Sequence, residues 1–487
     1  MSPISLDELH FGPATHVSNN NDFPADTQFN GIIFNADAAT YTLSGNRLKL
    51  VGPLVNNSSA TQTIALNLVM QSGGGTIDTA SGDIVLSGTV GGSINLVKRG
   101  SATLTLANTV SPPITVEQGQ VVAAPGSLIN GNLTVAVAAR FENAGGTVSL
   151  RNLTNGGTLV GNARVGGTFI NQPSGDVRVG AGQSLYIQNG SPQSNSGLIE
   201  LIGTANGQAQ FESVGPFTNT SGGGKGMIAV QNATLHFDGG LNNQAAIAFS
   251  YGVNNVFGKV TNVPGGKISV AGGAGVTFYD DVVQNGILEV SAVGSTHSSV
   301  VFYGAYSGGG CIGSGDVFLM GDLRPGNSPV EVTFGGNVLL ASSTNTVMEL
   351  AGLTPGTQYD RLNVIGQLIL AGELDLVLLD GFEPKAGESF DLFNATMSGE
   401  FSRVTLPLLK NGLSWNTSNL YSTGEISVVP EPSTLGLLGV GCLGLLGYRW
   451  RRRRQKRSLS LAGETALSGQ AGTDLQENGP AILSMPT

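Results

Sequence analysis

From about residue 29 the chain alternates apolar and polar residues in short runs divided by glycine and asparagine. Tyr41-Thr42-Leu43-Ser44-Gly45 and Leu48-Lys49-Leu50 are early examples. Asp176-Val177-Arg178-Val179, Leu198-Ile199-Glu200-Leu201, Ile228-Ala229-Val230 and Lys267-Ile268-Ser269-Val270 continue the pattern. Alternation with a period of two places one set of side chains on one face, so each run predicts a short strand with one buried side. Asparagines ahead of Gly-rich turns recur at Asn171, Asn195, Asn219, Asn243, Asn262 and Asn285, at spacings of 24, 24, 24, 19 and 23. A period near 24, built from strands this short, fits one turn of a solenoid whose strands pair with the turns above and below. Sandwich strands recur at about 8–12 residues instead; antiparallel hairpins with Asn-Gly turns are the competing arrangement. The expectation is an all-β chain forming a right-handed parallel β-solenoid (β-helix) over residues 29–320, with turn asparagines hydrogen-bonded in ladders.

The flanks read differently. Residues 1–28 contain neither a positive n-region nor an apolar h-region, so no signal peptide is visible in them. Near residue 320 the turn-rich Gly321-Asp322-Leu323-Arg324-Pro325-Gly326-Asn327-Ser328-Pro329 opens a C-terminal β region, 321–429, ending in Glu425-Ile426-Ser427-Val428-Val429. This region is either the last coils or a small β cap; an open solenoid end must be covered to avoid edge-to-edge aggregation. After the prolines, Ser433 to Tyr448 carries no charge, and Arg449, Arg451, Arg452, Arg453 and Arg454 follow. At about 1.5 Å per helical residue the uncharged stretch covers roughly 24 Å of a roughly 30 Å hydrocarbon core. Tyr448 and Trp450 at the interface and snorkelling arginines recover much of the difference. The expectation is one short transmembrane helix, contacting membrane lipid through 433–448, with those arginines on the cytoplasmic side. Residues 458–487 read as a disordered tail.

Composition and charge sharpen this. Glycine is 73 of 487 residues, about double the usual share of about 7%, as many tight turns require. The net charge is −10, yet seven of the 23 basic residues lie between Arg449 and Arg457. Without them and the three acids beyond, 16 basic residues face 30 acidic ones, a body near −14. An acidic body disfavours nucleic acid as a partner, and the lone basic block reads as a topology signal. There are two cysteines, and Cys442 falls in the apolar run; a disulfide framework or a cysteine metal site is excluded.

Val429-Pro430-Glu431-Pro432-Ser433-Thr434, the glycine- and leucine-rich run and the arginine cluster together resemble the PEP-CTERM sorting signal of bacteria. The resemblance implies an inner-membrane exosortase as partner, with Pro430, Glu431 and Pro432 as the recognition triplet. It also implies delivery to the cell surface or an extracellular exopolysaccharide matrix. Two departures stand out: Ser458 to Thr487 follow the signal, which normally ends the protein, and no secretion signal is seen at the other end. The expectation is that the true start lies upstream or that this copy is truncated. A second resemblance covers Ile94-Asn95-Leu96-Val97-Lys98-Arg99-Gly100-Ser101-Ala102-Thr103-Leu104-Thr105-Leu106, which is similar to the autotransporter-associated strand repeat; Ser101-Ala102 stands where a further glycine is expected. That repeat implies a parallel β-helix stem. The Pro-Gly-Asn-Ser-Pro turn at 325–329 and Tyr359-Asp360-Arg361-Leu362-Asn363-Val364 also resemble the stretch preceding many such sorting signals.

Chemistry-bearing motifs are sparse. His10, His16, His236 and His297 are scattered, and no Gly-x-Ser-x-Gly, Cys-x-x-Cys or P-loop occurs. Gly272-Gly273-Ala274-Gly275-Val276-Thr277-Phe278 approaches a calcium-binding nonapeptide, but Thr277 stands where aspartate is needed. Asp280-Asp281, with His297, are the residues a β-helix polysaccharide lyase or glycoside hydrolase would use. No catalytic residue, metal ligand or cofactor is assigned. The expected function is that of a non-enzymatic, exported surface or matrix structural protein, with the polysaccharide-cleaving enzyme as the alternative.

Overall fold

Strands of three to five residues bury few side chains each, so such a chain acquires a core by stacking turn upon turn. The computed structural model describes residues 3–294, 296–326, 329–410, 412–431 and 434–461; side chains are described for these except Val293 and residues 434–438 and 453–461. The chain divides into two units, Met1–Val429 and Pro430–Thr487. The first is a parallel β-solenoid of about 15 turns. Each full turn lays one short strand on each of three faces. The first face is a ladder of 19 strands from Glu8–Phe11 to Arg403–Thr405, and the second has 14 strands from Ser18–Asn21 to Ile287–Val290. The third runs from Thr27–Phe29 to Phe393–Gly399. Pairing along the ladders is parallel, and inward positions stack on inward positions: Leu96, Ile114, Leu133, Leu153 and Phe169 form one continuous buried column. A one-residue slip would turn such a column outward, so burial fixes the register.

Two boundaries differ from the sequence expectation. The solenoid begins at Glu8–Phe11, which pairs with Gly31–Phe34, rather than at residue 29. At the other end, the strands Glu373–Leu378 and Arg403–Thr405 still continue the first face, so the turns run well past 320. Alternation is weak in Ser18–Asn21, a run of polar residues paired with Thr42–Gly45 through the backbone, with Asn21 Nδ2 donating to the Asn46 carbonyl (2.7 Å), which hides this turn from a pattern search. The cap is a separate three-stranded sheet, with Glu425–Pro430 in the centre between Ser389–Asp391 and Leu413–Asn416. In the Tyr-Asp-Arg segment, the buried carboxylate of Asp360 accepts the amides of Val330 (2.8 Å), just past the Pro-Gly-Asn-Ser-Pro stretch, and Glu349 (2.9 Å).

The asparagine ladder is present and fully buried. Nδ2 of each member donates to Oδ1 of the next: Asn155 to Asn171 (2.9 Å), then Asn195 (2.7 Å), Asn219 (2.8 Å), Asn243 (2.8 Å) and Asn262 (2.7 Å). Asn262 then donates to Gln284 Oε1 (2.8 Å), so Gln284 takes the place expected for its neighbour Asn285. Second amide protons go to carbonyls of the adjoining turns, as from Asn171 to Leu198 and Asn219 to Ala246, both 3.0 Å. The ladder satisfies backbone oxygens that a sharp buried corner would otherwise leave unpaired. Close approach explains the glycines here: a β-carbon at Gly175 would collide with Asn171 Oδ1 and the Asn155 carbonyl.

Lys98, of the strand-repeat resemblance, plays a related part at a turn without asparagine. Its side chain is fully buried, and Nζ donates to the carbonyls of Gly100 (2.8 Å) and Gln118 (3.0 Å). Burial pulls its pKa down to about 8, with Asp78 and Asp83 opposing the shift. Between about 8 and the ordinary lysine value the unfolded chain binds more protons than the folded one, so stability rises with pH in that window. The expected gain is on the order of 2 kcal/mol. Chemical denaturation at pH 7.5 and 10 checks it as a difference: burial raises the pKa of Cys311 and Tyr306, which oppose the rise equally in both proteins, so the parent should gain about 2 kcal/mol relative to Lys98→Met between the two pH values.

Candidate functional site

The region where sequence places the sorting determinants begins in the cap's central strand. Glu425–Pro430 alternates, burying Ile426 and Val428 and leaving Pro430 exposed. Val428 N–H donates to the Glu388 carbonyl (2.9 Å), and its own carbonyl accepts from Gly387 N–H (2.8 Å). Pro430 has no N–H and ends the strand, as proline must in a sheet interior. Glu431 is exposed, and Pro432 lies outside the described residues. Prolines on both sides bias the triplet toward extended backbone without helix or sheet bonds, the form in which an enzyme cleft takes a peptide.

The second unit contains the helix Thr434–Leu461. Arg449, Arg451, Arg452, Arg453 and Arg454 all fall on it, and side chains are described for the first three, all exposed. The Arg452 guanidinium lies 5.8 Å from the Tyr448 ring centre, one turn earlier, a cation–π pair at helical spacing. Val440, Leu443, Leu445 and Leu446 are exposed by 61 to 71%, so these apolar side chains are uncovered. Among the described residues no helix is long and apolar enough to cross a membrane. The run expected as a transmembrane helix is therefore helical without qualifying as a membrane span, and the helix is longer than expected. Helix-forming Arg, Gln, Lys and Leu carry it to Leu461, beyond the apolar run and into the segment expected as disordered tail, while uncharged sequence stops at Tyr448. Residues 462–487 lie outside the described residues.

Residues 428–454 match the family model of the PEP-CTERM protein-sorting motif. The chain carries a PEP-CTERM sorting motif. The motif indicates an exported protein, sorted by an exosortase toward the cell envelope or surface. No curated protein matches the chain.

The other candidates separate in space and role. Asp280 Oδ2 accepts the Gly258 amide (2.7 Å) and Asp281 Oδ1 that of Ala305 (3.0 Å), so each carboxylate closes a turn to a different neighbour. His297 is exposed and belongs to the hairpin Ala292–Val293/Thr296–His297. Thr277 lies on the third face, paired between Asn255 and Val301. Among the described residues no cluster of three or more His, Cys, Asp or Glu forms a metal-binding group. Cys311 is buried, and burial raises its thiol pKa to about 12. One feature escaped sequence reading: His236, Phe257, Tyr279 and Tyr303 stack on the third face, with ring centres 4.4, 4.3 and 5.5 Å apart and planes within 8°. Their spacings of 21, 22 and 24 residues are the available signal, legible only once the length of each turn is known. Phe257 and Tyr279 have neighbouring rings on both faces, so the stack stiffens this face of the solenoid.

Proposed function

We propose that the protein is a non-enzymatic structural component of the cell surface or extracellular matrix, delivered through its PEP-CTERM signal. The observation that carries this reading is the sorting motif joined, without an intervening domain, to a long parallel solenoid. Stacked turns give a rigid rod whose surface repeats, the geometry of a stalk or scaffold. In this reading the apolar run of the C-terminal helix rests in the inner membrane during sorting, with Arg449 and Arg451 to Arg454 on the cytoplasmic side. The uncovered leucines favour this, because water is a poor environment for them. An exosortase engages Pro430, Glu431 and Pro432 from the outer side, and removal of the tail releases the acidic body toward an exopolysaccharide matrix. The alternative reading is a polysaccharide-cleaving enzyme on the same solenoid, with Asp280 and Asp281 as its candidate carboxylates. Mass spectrometry of the mature C-terminus in an exosortase-bearing host tests the reading. A chain ending near the triplet is expected, while an intact C-terminus would reduce the segment to an anchor. Assayed on acidic and neutral polysaccharides, the purified protein should release no reducing or unsaturated ends; release abolished by Asp280→Asn would favour the enzyme.

A further inference from the structure

The folded cap holds the chain up to the edge of the sorting triplet. Ile426 and Val428 are buried, and Val428 has both its amide and its carbonyl bonded across the sheet. Glu425–Pro430 is the central strand of three, paired antiparallel to Ser389–Asp391 in the register Asp391–Glu425, Phe390–Ile426 and Ser389–Ser427. Its start is pinned as well: Gly424, at φ +79°, accepts the Leu392 amide (2.9 Å) through its carbonyl and packs against the Phe393 carbonyl so tightly that a β-carbon would collide. Along the chain only Val429 separates the last locked residue from Pro430. One residue spans at most about 3.6 Å, too little for an enclosing cleft to grip the N-terminal side of the triplet while the cap stays folded.

We propose that the cap is a lock on its own sorting signal: the strand Glu425–Val428 must leave the sheet before the processing enzyme can engage the triplet. This rests on the sorting reading above and adds a regulatory step to it. A central strand loses partners on both sides when it leaves, so the open form is a minor state, and apparent affinity for the enzyme falls by the open fraction. A chain still unfolded after export presents the triplet freely, and completion of the cap slows processing. The cap thereby couples sorting to the folding state of the last turns.

The test uses the full chain, supplied with a secretion signal, in a host with the matching exosortase, reading the processed fraction over time. An insertion of six Gly-Ser residues between Val429 and Pro430 supplies slack without touching the sheet; processing is expected to rise about tenfold or more. In a second variant, Ser389→Cys with Ser427→Cys joins register partners on the outer side of the sheet, in a Cys442→Ala background. That disulfide is expected to stop processing, reductant should restore it, and the slack insertion should bypass it. Equal rates for parent and insertion, or normal processing of the oxidised double cysteine variant, overturn the lock while Glu431-dependent processing leaves the sorting reading standing. Absence of processing in the insertion variant as well as the parent overturns both together.

Discussion

Asn219→Asp is expected to destabilise the middle turns of the solenoid by about 3–5 kcal/mol at neutral pH, although it changes one amide to a carboxylate of the same shape. Asn219 is fully buried, accepts from Asn195 (2.8 Å) and donates to Asn243 Oδ1 (2.8 Å) and the Ala246 carbonyl (3.0 Å). Aspartate keeps the acceptor role and loses both donors, so a buried oxygen faces two others. The strain is relieved by protonation, which returns one donor, so the folded-state pKa of the new carboxyl is raised by burial. The sign follows: the loss is largest above the folded pKa and shrinks as the pH falls through it. Asn219→Leu removes donors and acceptor together and leaves neighbours unpaired, costing about 1–3 kcal/mol per stranded group with no such pH dependence. Because each turn contacts only its neighbours, hydrogen exchange should report faster opening around residues 193–262 than in turns near residue 100. Urea unfolding of the aspartate variant within about 1 kcal/mol of the parent would mean that the ladder is incidental.

Glu431→Ala is expected to leave the protein uncleaved in the membrane fraction of an exosortase-bearing host. A carboxylate recognised through charge-assisted hydrogen bonds contributes about 1.5–3 kcal/mol, which corresponds to roughly a ten- to hundredfold slower processing step. Glu431 is exposed and lies beyond the last bonded residue of the cap, so its loss should not alter the melting of the body. That separation makes the variant informative: stability is unchanged while the fate of the tail differs. Replacing Arg451 to Arg454 with Ser acts at a different point, weakening retention in the bilayer before processing, since positive residues beside an apolar segment resist translocation. Cleavage and release of the Glu431 variant at the parental rate would show that processing does not read the triplet's carboxylate, and the recognition role of Glu431 would fall.

The strands of the solenoid were legible because burial and backbone pairing impose the same period of two on sequence and structure, as at Leu198–Ile202 or Lys267–Val270. The ladder was legible because five asparagines recur at nearly constant spacing. It failed at its ends: Asn155 stands only 16 residues before Asn171, and Gln284 replaces Asn285, since turn length varies and any amide reaching the column serves. The extent of the solenoid was not legible. Ser18–Asn21 carries no apolar alternation yet forms a turn through its backbone, and backbone pairing leaves no mark on side-chain pattern.

By itself the sequence determined the class of fold, the repeat, the acidic body and the sorting motif, because each depends on local order of residue types. The tertiary structure alone decided which residues meet across turns. It buried Lys98 against two turn carbonyls, bonded Asp280 and Asp281 to amides of different turns, and stacked four aromatic rings from four different turns. It also placed Glu425–Pro430 in the centre of the cap rather than at its edge. Those outcomes depend on the length of each intervening turn, which sets what lies above what along the stack, and local alternation carries no record of that length.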